Sequence, residues 1–130
     1  MKKLLLICLA AFAAASCTQE KQQSKPLYMW FDCEGNYATL SHPDSIRYYV
    51  SKIHDMGFTD VVVDVKSIMG ETLYKSDIAP YMGEWEGVTR PEDYDMLGHF
   101  IEEGHKRGVR VHGSLNVFAG GHNYFDRGII

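Results

Sequence analysis

The sequence predicts a parallel α/β fold of about three βα units. The aromatic run 27–31, the β-branched run 60–66 and the predicted strand 109–117 alternate with two segments, 43–56 and 91–106, whose apolar residues recur at helical spacing. Short, mainly apolar runs such as the first two are typical of strands covered on both faces, and strands that alternate with helices pair in parallel. Such a sheet needs further strands to close a barrel, which takes roughly 250 residues, or to complete a doubly wound sheet. We therefore expect the sequence to hold part of a domain.

Residues 1–16 have the pattern of a bacterial export signal. Two lysines precede the apolar run from Leu4 to Ala15, which is too short to span a bilayer comfortably. Ser16 and Cys17 then resemble the cleavage motif of a lipoprotein signal peptide, in which the cysteine is lipidated and becomes the first mature residue. Ala14 stands where leucine is usual, so cleavage without lipidation is the alternative. We expect an exported chain with a lipid anchor on Cys17.

Residues 17–25 are polar and are expected to tether a domain at 26–130 to the membrane. Thr18 is not aspartate, which favours the outer membrane by analogy with lipoprotein sorting in Gram-negative bacteria. The expected location is the cell envelope, at the outer membrane or the periplasmic face. Loss of Lys2 and Lys3 with the signal leaves 11 basic against 17 acidic residues, a net charge of −6, so nucleic acid is an unfavourable partner.

The first βα unit begins with the aromatic run 27–31, which delivers Asp32, Cys33 and Glu34 to the end of a strand. Cys33 has no partner for an intrachain disulfide in the mature chain, and it is expected to be a small buried residue, not a nucleophile. A helix is predicted from Pro43 to Met56, with Ser41 as its capping hydroxyl. Its apolar stripe is formed by Ile46, Tyr49, Val50, Ile53 and Met56.

The second and third units follow the same plan. The β-branched run 60–66 predicts the most buried strand, and the long loop 67–90 is expected to be functional because it is rich in aromatic residues. A helix is predicted from Pro91 to Lys106, capped by Gly108. The last strand, 109–117, delivers Asn116 to its end.

Polar side chains gather where the predicted strands end. The carboxyl ends of parallel strands meet at one edge of a sheet, so these side chains are expected to be neighbours there. Two carboxylates at such an edge could divide the work of glycosidic bond cleavage. For Asp64 the alternative is a structural carboxylate paired with Lys66 or with a helix amide, and for His112 it is a hydrogen-bonded core residue. The candidates are Asp32, Glu34, Asp64, Lys66, His112 and Asn116.

Aromatic residues lie in the same loops, among them Tyr74 and Trp85. Aromatic faces beside carboxylates and amides suit a sugar, whose C–H faces are apolar and whose hydroxyls need polar partners. We favour ligand contact for the loop from Tyr74 to Trp85; the alternative is that its rings simply fill the mouth of a barrel. The spacing of histidines and cysteines gives no support for a zinc site, and Gly120-Gly121 lacks the lysine of a phosphate loop. We predict no metal and no cofactor.

Several segments of the chain together resemble a known family. They resemble the N-terminal part of glycosyl-hydrolase-like (β/α)8 TIM-like barrels related to the α-amylase superfamily. The resemblance covers about 90 residues, or three of the eight βα units of that barrel. It is carried by residues 28–31, 56–60, 63–66, 73–80, 95–97 and 105–112, of which the Tyr74 loop and the ending His105-Lys106-Arg107-Gly108-Val109-Arg110-Val111-His112 are the most specific.

The resemblance implies a partial (β/α)8 barrel that acts on a polysaccharide or on the glycan of peptidoglycan at the cell envelope. In amylase-like barrels the main catalytic carboxylates follow the fourth and later strands, so they are expected beyond Ile130. As 130 residues, the chain is expected to bind sugar without turning it over. The alternative function is a surface lipoprotein that holds glycan without cleaving it. The residues proposed for binding are Asp32, Glu34, Asp64, Lys66, Tyr74, Trp85, His112 and Asn116.

Overall fold

A computed structural model describes residues 25–128. Among these residues, strand β1 and a short 3-10 helix come first, and two helices then alternate with two further long strands. Two small hairpins lie in the connections. The predicted signal at 1–16 and Cys17 lie outside the described residues, as does all but the last residue of the predicted tether. The elements are β1 (Tyr28–Phe31), the 3-10 helix (Thr39–Ser41), α1 (Pro43–Asp55), β2 (Asp60–Lys66), β3 (Glu84–Trp85), β4 (Val88–Thr89), α2 (Met96–Arg107), β5 (Arg110–Leu115), β6 (Gly121–His122) and β7 (Arg127–Gly128).

The long strands form a parallel sheet in the order β1-β2-β5, which confirms the predicted α/β class. Met29 pairs with Val61 on one side of the central strand, and Val63 pairs with Gly113 on the other. The register between β2 and β5 shifts between Asp64 and Lys66. The sheet and its two helices have the arrangement of part of a βα barrel.

The helices cover one face of the sheet. Val61, Val63 and Val65 of β2 are at most 3% exposed and belong to one apolar core with Val50 of α1 and Phe100 of α2. Side chains alternate between the two faces of a strand, so the remaining positions of the sheet lie on the other face. Burial of β2 agrees with its prediction as the most covered strand.

The other face of the sheet is open among the described residues, which corrects the prediction for the first strand. β1 was expected to be buried on both faces, but Tyr28 is 54% exposed and Trp30 61% exposed. β1 has one neighbouring strand in the described sheet, and the helices lie against the opposite face. Burial on the helix side therefore accounts for Met29 and Phe31, which pack against the core, and not for the other two side chains of the strand.

Helix boundaries differ in two places from those the sequence predicts. Ser41 does not cap α1: its hydroxyl donates to Tyr37 O at 2.6 Å, and the N-cap residue is His42. α2 begins at Met96, not Pro91, because Asp95 caps it by accepting a hydrogen bond from Gly98 N at 2.9 Å. The stripe predicted for the first helix is buried at Ile46, Val50 and Ile53, whereas Tyr49 and Met56 are exposed.

The long loop 67–90 is anchored by Arg90, which is 2% exposed. Its guanidinium donates to Ser41 Oγ at 2.7 Å and to Tyr37 O at 3.0 Å, and it stacks on the Tyr37 ring at 3.6 Å. Tyr94 adds a hydrogen bond to Leu40 O. These contacts fix the loop beside the segment that follows β1.

Across residues 25–128, neither helix is both long and apolar enough to cross a bilayer.

Candidate functional site

A cleft of about 320 Å³ lies at the carboxyl ends of the three parallel strands. Five of the eight residues that the sequence proposed for binding lie in it. It opens on the sheet face opposite the helices. The lining residues are Trp30, Asp32, Glu34, Asp64, Lys66, Ile68, Ser114 and Asn116.

Strand alternation places these side chains together. Val63 and Val65 point into the core, so the residues between and after them, Asp64 and Lys66, point to the open face. Asp64 is paired in register with Ser114 on β5. The ends of all three strands therefore contribute polar groups to one cleft.

Trp30 and Asp64 join the first two strands across the cleft. The indole Nε1–H of Trp30 donates to Asp64 Oδ1 at 3.0 Å. The hydrogen bond fixes the orientation of the indole while the residue stays 61% exposed. The cleft thus has an exposed aromatic face held in place by a carboxylate.

Asp32 organises the turn after β1. Its Oδ1 accepts from the backbone N–H groups of Glu34 at 3.2 Å and Gly35 at 3.1 Å. This side-chain turn is a common use of aspartate in loops. It sets the position from which Glu34 reaches the cleft.

Glu34 connects the turn after β1 to the loop after β2. Its Oε1 accepts a hydrogen bond from Ile68 N at 2.8 Å. Partial burial raises the pKa of Glu34 above its ordinary value, and the negative charges of Asp32 and Asp64 raise it further, against the lowering effect of the Ile68 hydrogen bond. Glu34 therefore holds a proton more readily than an ordinary glutamate does.

Lys66 is bound by backbone carbonyls and has no hydrogen bond to Asp64. Its Nζ donates to Asn116 O at 2.8 Å, to Ala119 O at 2.7 Å and to Val117 O at 3.4 Å. The lysine therefore ties β2 to the loop after β5. The sequence left Asp64–Lys66 pairing open, and the structure pairs Asp64 with Trp30 instead.

The structure places His112 away from the cleft, at the amino ends of the strands. Its Nε2 lies 2.7 Å from Asp60 Oδ1, and its ring is 5.7 Å from that of Tyr28. Arg110 donates two hydrogen bonds to the same carboxylate, at 2.7 Å each. The Arg110 bonds, with those of Thr59 and His112, hold the pKa of the fully buried Asp60 far below its ordinary value despite burial. His112 does not contribute to the cleft.

Tyr74 and Trp85 also lie outside the cleft lining. Trp85 is 8% exposed and packs edge-to-face on Phe125, with ring centroids 4.9 Å apart. Tyr74 is partly buried and packs against the core. The expectation that Trp85 offers its ring to a ligand is corrected, because Trp85 is buried and belongs to the apolar core.

Sequence reasoning missed three lining residues, Trp30, Ile68 and Ser114. Trp30 was assigned to a strand buried on both faces, although it lies two residues before Asp32 and so shares its face. The same two-residue spacing relates Ser114 to Asn116. Alternation counted back from the strand ends could have identified both.

Cys33 is buried, as the sequence predicted, and its thiol contacts Phe31 O at 3.4 Å. Burial raises the pKa of the thiol far above its ordinary value, which keeps it protonated and unreactive. Within residues 25–128, no group of three or more histidine, cysteine or acidic side chains is arranged to hold a metal ion. The polar groups that line the cleft are carboxyl groups, an ammonium, a hydroxyl, an amide and an indole N–H.

Comparison with known proteins points to one family. A family model described as glycosyl hydrolase-like 10 matches residues 29–120, which include every residue of the cleft. An S-layer-related protein from Niallia circulans is 28% identical over 103 residues. That match covers 75% of this chain but 6% of the length of the relative.

Proposed function

The chain belongs to the glycosyl hydrolase-like 10 family, and from this premise we propose that the cleft at the strand ends binds one residue of a glycan. The single observation that carries the proposal is the convergence of Trp30, Asp32, Glu34, Asp64 and Asn116 on one open cleft. Carboxylates and amides accept and donate hydrogen bonds to sugar hydroxyls, and an exposed indole packs against the apolar face of a sugar ring. A cleft of about 320 Å³ is at the small end of the range for ligand sites.

The larger architecture belongs to the same proposal. The parallel sheet supplies three strands, and a (β/α)8 barrel would place five more beside the open edges of β1 and β5. Closure of that kind would cover Tyr28 and would deepen the cleft around Trp30. By resemblance to amylase-like barrels, the catalytic carboxylates are proposed to lie after later strands, so the described residues bind and do not cleave.

The proposed place of action is the cell envelope. The pattern at residues 1–17 supports export and lipidation of Cys17, and the relative from Niallia circulans carries the name S-layer-related protein. The proposed substrate class is therefore an envelope polysaccharide or the glycan of peptidoglycan. Metabolic labelling with an alkyne fatty acid is expected to mark the protein but not its Cys17→Ser variant. Equal labelling of the two would remove the anchor from the proposal.

Binding is tested by isothermal titration calorimetry of the full chain with soluble oligosaccharides from chitin, cellulose and peptidoglycan. At least one is expected to bind, and Asp64→Ala is expected to weaken it by removing both a sugar partner and the support of Trp30. Asp55→Ala, which removes a carboxylate from the exposed end of α1, serves as the matched control. If no glycan binds, or if Asp64→Ala binds as tightly as the control, the proposed function is wrong.

The alternative function, a surface lipoprotein that holds glycan without cleaving it, shares this cleft. A measurement of glycan hydrolysis distinguishes an enzyme from a protein that only binds glycan. A version of the protein with later strands is expected to shorten a bound oligosaccharide if it is an enzyme, and release of reducing ends measures this. Binding without product would favour the alternative.

A further inference from the structure

The charges that line the cleft do not balance. Asp32, Glu34 and Asp64 supply three carboxyl groups, and Lys66 is the single basic side chain among the lining residues. No arginine or histidine of residues 25–128 lines the cleft. A ligand therefore meets an excess of negative charge.

The ammonium group of Lys66 is not available to bind a negatively charged ligand. An ammonium group has three N–H donors, and Lys66 directs them to three backbone carbonyls, those of Asn116, Val117 and Ala119. A bound anion would have to displace one of these contacts. The lysine therefore holds the loop after β5 against β2 and does not act as an anion receptor.

Each carboxyl group of the cleft, in contrast, keeps one oxygen for a ligand. Asp32, Glu34 and Asp64 use only one oxygen each in hydrogen bonds to the protein: Oδ1 to two amides, Oε1 to Ile68 N and Oδ1 to the Trp30 indole. Within the described chain, no hydrogen bond occupies the second oxygen of any of the three. These second oxygens are acceptors that suit a ligand rich in donors.

The Trp30 indole, like the carboxyl groups, favours a positively charged ligand. The face of an indole attracts cations through its quadrupole, and Trp30 is 61% exposed with its N–H already used on Asp64. The exposed ring and the three acceptors lie in one cleft. A cationic ligand gains from both, whereas an anionic ligand is opposed by the carboxylates.

Resting on the proposed glycan-binding function, we infer that the cleft selects a sugar that carries a free, protonated amino group, a glucosamine-type residue. The ammonium donates to the second oxygens of the carboxylates, and the sugar ring packs on Trp30. An N-acetylated sugar loses the charge but keeps its hydroxyl contacts, so it binds more weakly. A sugar acid is repelled and binds weakest.

Calorimetry of the full chain with three matched oligosaccharides tests this inference: the glucosamine tetramer, the N-acetylglucosamine tetramer and the galacturonic acid tetramer. At low salt and at a pH where the amine is protonated, the expected affinities fall in that order, with about a tenfold preference for the amine over the acetamide. The preference is expected to shrink as salt is added, because exposed charges are screened. Equal affinity for amine and acetamide, or tighter binding of the acid, overturns the inference.

A variant pair isolates the charge. Asp32→Asn with Glu34→Gln keeps the hydrogen bonds to the backbone amides but removes two negative charges from the cleft. The affinity for the glucosamine tetramer is therefore expected to fall further than that for the N-acetylglucosamine tetramer, so that the preference for the amine disappears. Asp55→Asn with Glu102→Gln makes the same charge change on the exposed helices and is expected to leave the preference intact. Loss of preference in both pairs would assign it to net charge and not to the cleft. Failure of these three sugars together with the cellulose and peptidoglycan oligosaccharides would reject the proposed function itself. Binding of another glycan but none of these three, or binding without preference, would reject only this inference.

Discussion

The indole nitrogen of Trp30 donates a hydrogen bond to Asp64 Oδ1 at 3.0 Å, which joins β1 to β2 on the open face of the sheet. The contact holds an exposed aromatic ring at a fixed angle beside three carboxyl groups. It also gives Asp64 a partner other than Lys66. The cleft is therefore preorganised by side chains that the sequence assigned to separate roles.

Trp30→Ala is expected to weaken oligosaccharide binding roughly two- to twelvefold, since aromatic contacts of this kind contribute about 0.5–1.5 kcal/mol. The melting temperature is expected to change little, because Trp30 is 61% exposed. Tyr48→Ala removes a similarly exposed ring from α1 and is the control. Calorimetry with differential scanning fluorimetry measures both quantities, and unchanged affinity in Trp30→Ala would contradict the assignment of the ring to the cleft.

Trp85→Ala is expected to destabilise the fold by about 3–5 kcal/mol, as for other large buried aromatic residues. Trp85 is 8% exposed and packs on Phe125, and Arg127 lies 5.9 Å from its ring. Urea denaturation followed by circular dichroism measures the loss. Phe118→Ala, in which the removed ring is fully exposed, is expected to stay near the parent stability. If Trp85→Ala kept the parental stability but lost sugar binding, the ring would be a ligand contact and not a core residue.

Glu34 is expected to titrate above the ordinary glutamate value of about 4.3, because partial burial raises its pKa and the charges of Asp32 and Asp64 add to the effect. Carbon-13 NMR of the side-chain carboxyl measures this, and Asp32→Asn is expected to bring the midpoint down. A raised folded-state pKa means that the charged form opposes folding, so stability is lost as the pH rises through the midpoint. Glu34→Gln is therefore expected to keep or raise the stability at neutral pH. A midpoint at or below the ordinary value would contradict this account.

Asp60 is expected to contribute to acid unfolding. Its folded-state pKa is lowered by hydrogen bonds from Arg110, Thr59 and His112, so its stabilising effect is present above the unfolded value of about 3.9 and is lost as the pH falls below it. Asp60→Asn is expected to lower stability at neutral pH and to flatten its decline at acidic pH. Denaturation curves between pH 7 and about pH 2 test this, with Asp55→Asn as an exposed control. A decline as steep in Asp60→Asn as in the parent would exclude the proposed role.

Much of the fold could be predicted because it depends on local periodicity. The run at 60–66 forms a strand because β-branched side chains fit the pleated surface of a sheet, and Gly57 and Gly108 end their helices with positive φ. Helix starts were less predictable. Ser41 has the chemistry of a cap, but Arg90, from a loop 49 residues away, uses its hydroxyl instead.

The candidate site, like the fold, combines features that depend on local sequence with features that depend on long-range contacts. The sequence by itself determined that Asp32, Glu34, Asp64, Lys66 and Asn116 follow parallel strands, and parallel strands place such residues at one edge of the sheet. Only the tertiary structure decided that Trp30 belongs with them, that Trp85 belongs to the core and that His112 bonds to Asp60 at the other end. Chain order fixes which end of a strand a residue occupies. Which face is covered, and by which ring, depends on contacts between residues far apart in sequence, and those exist only once the chain has packed.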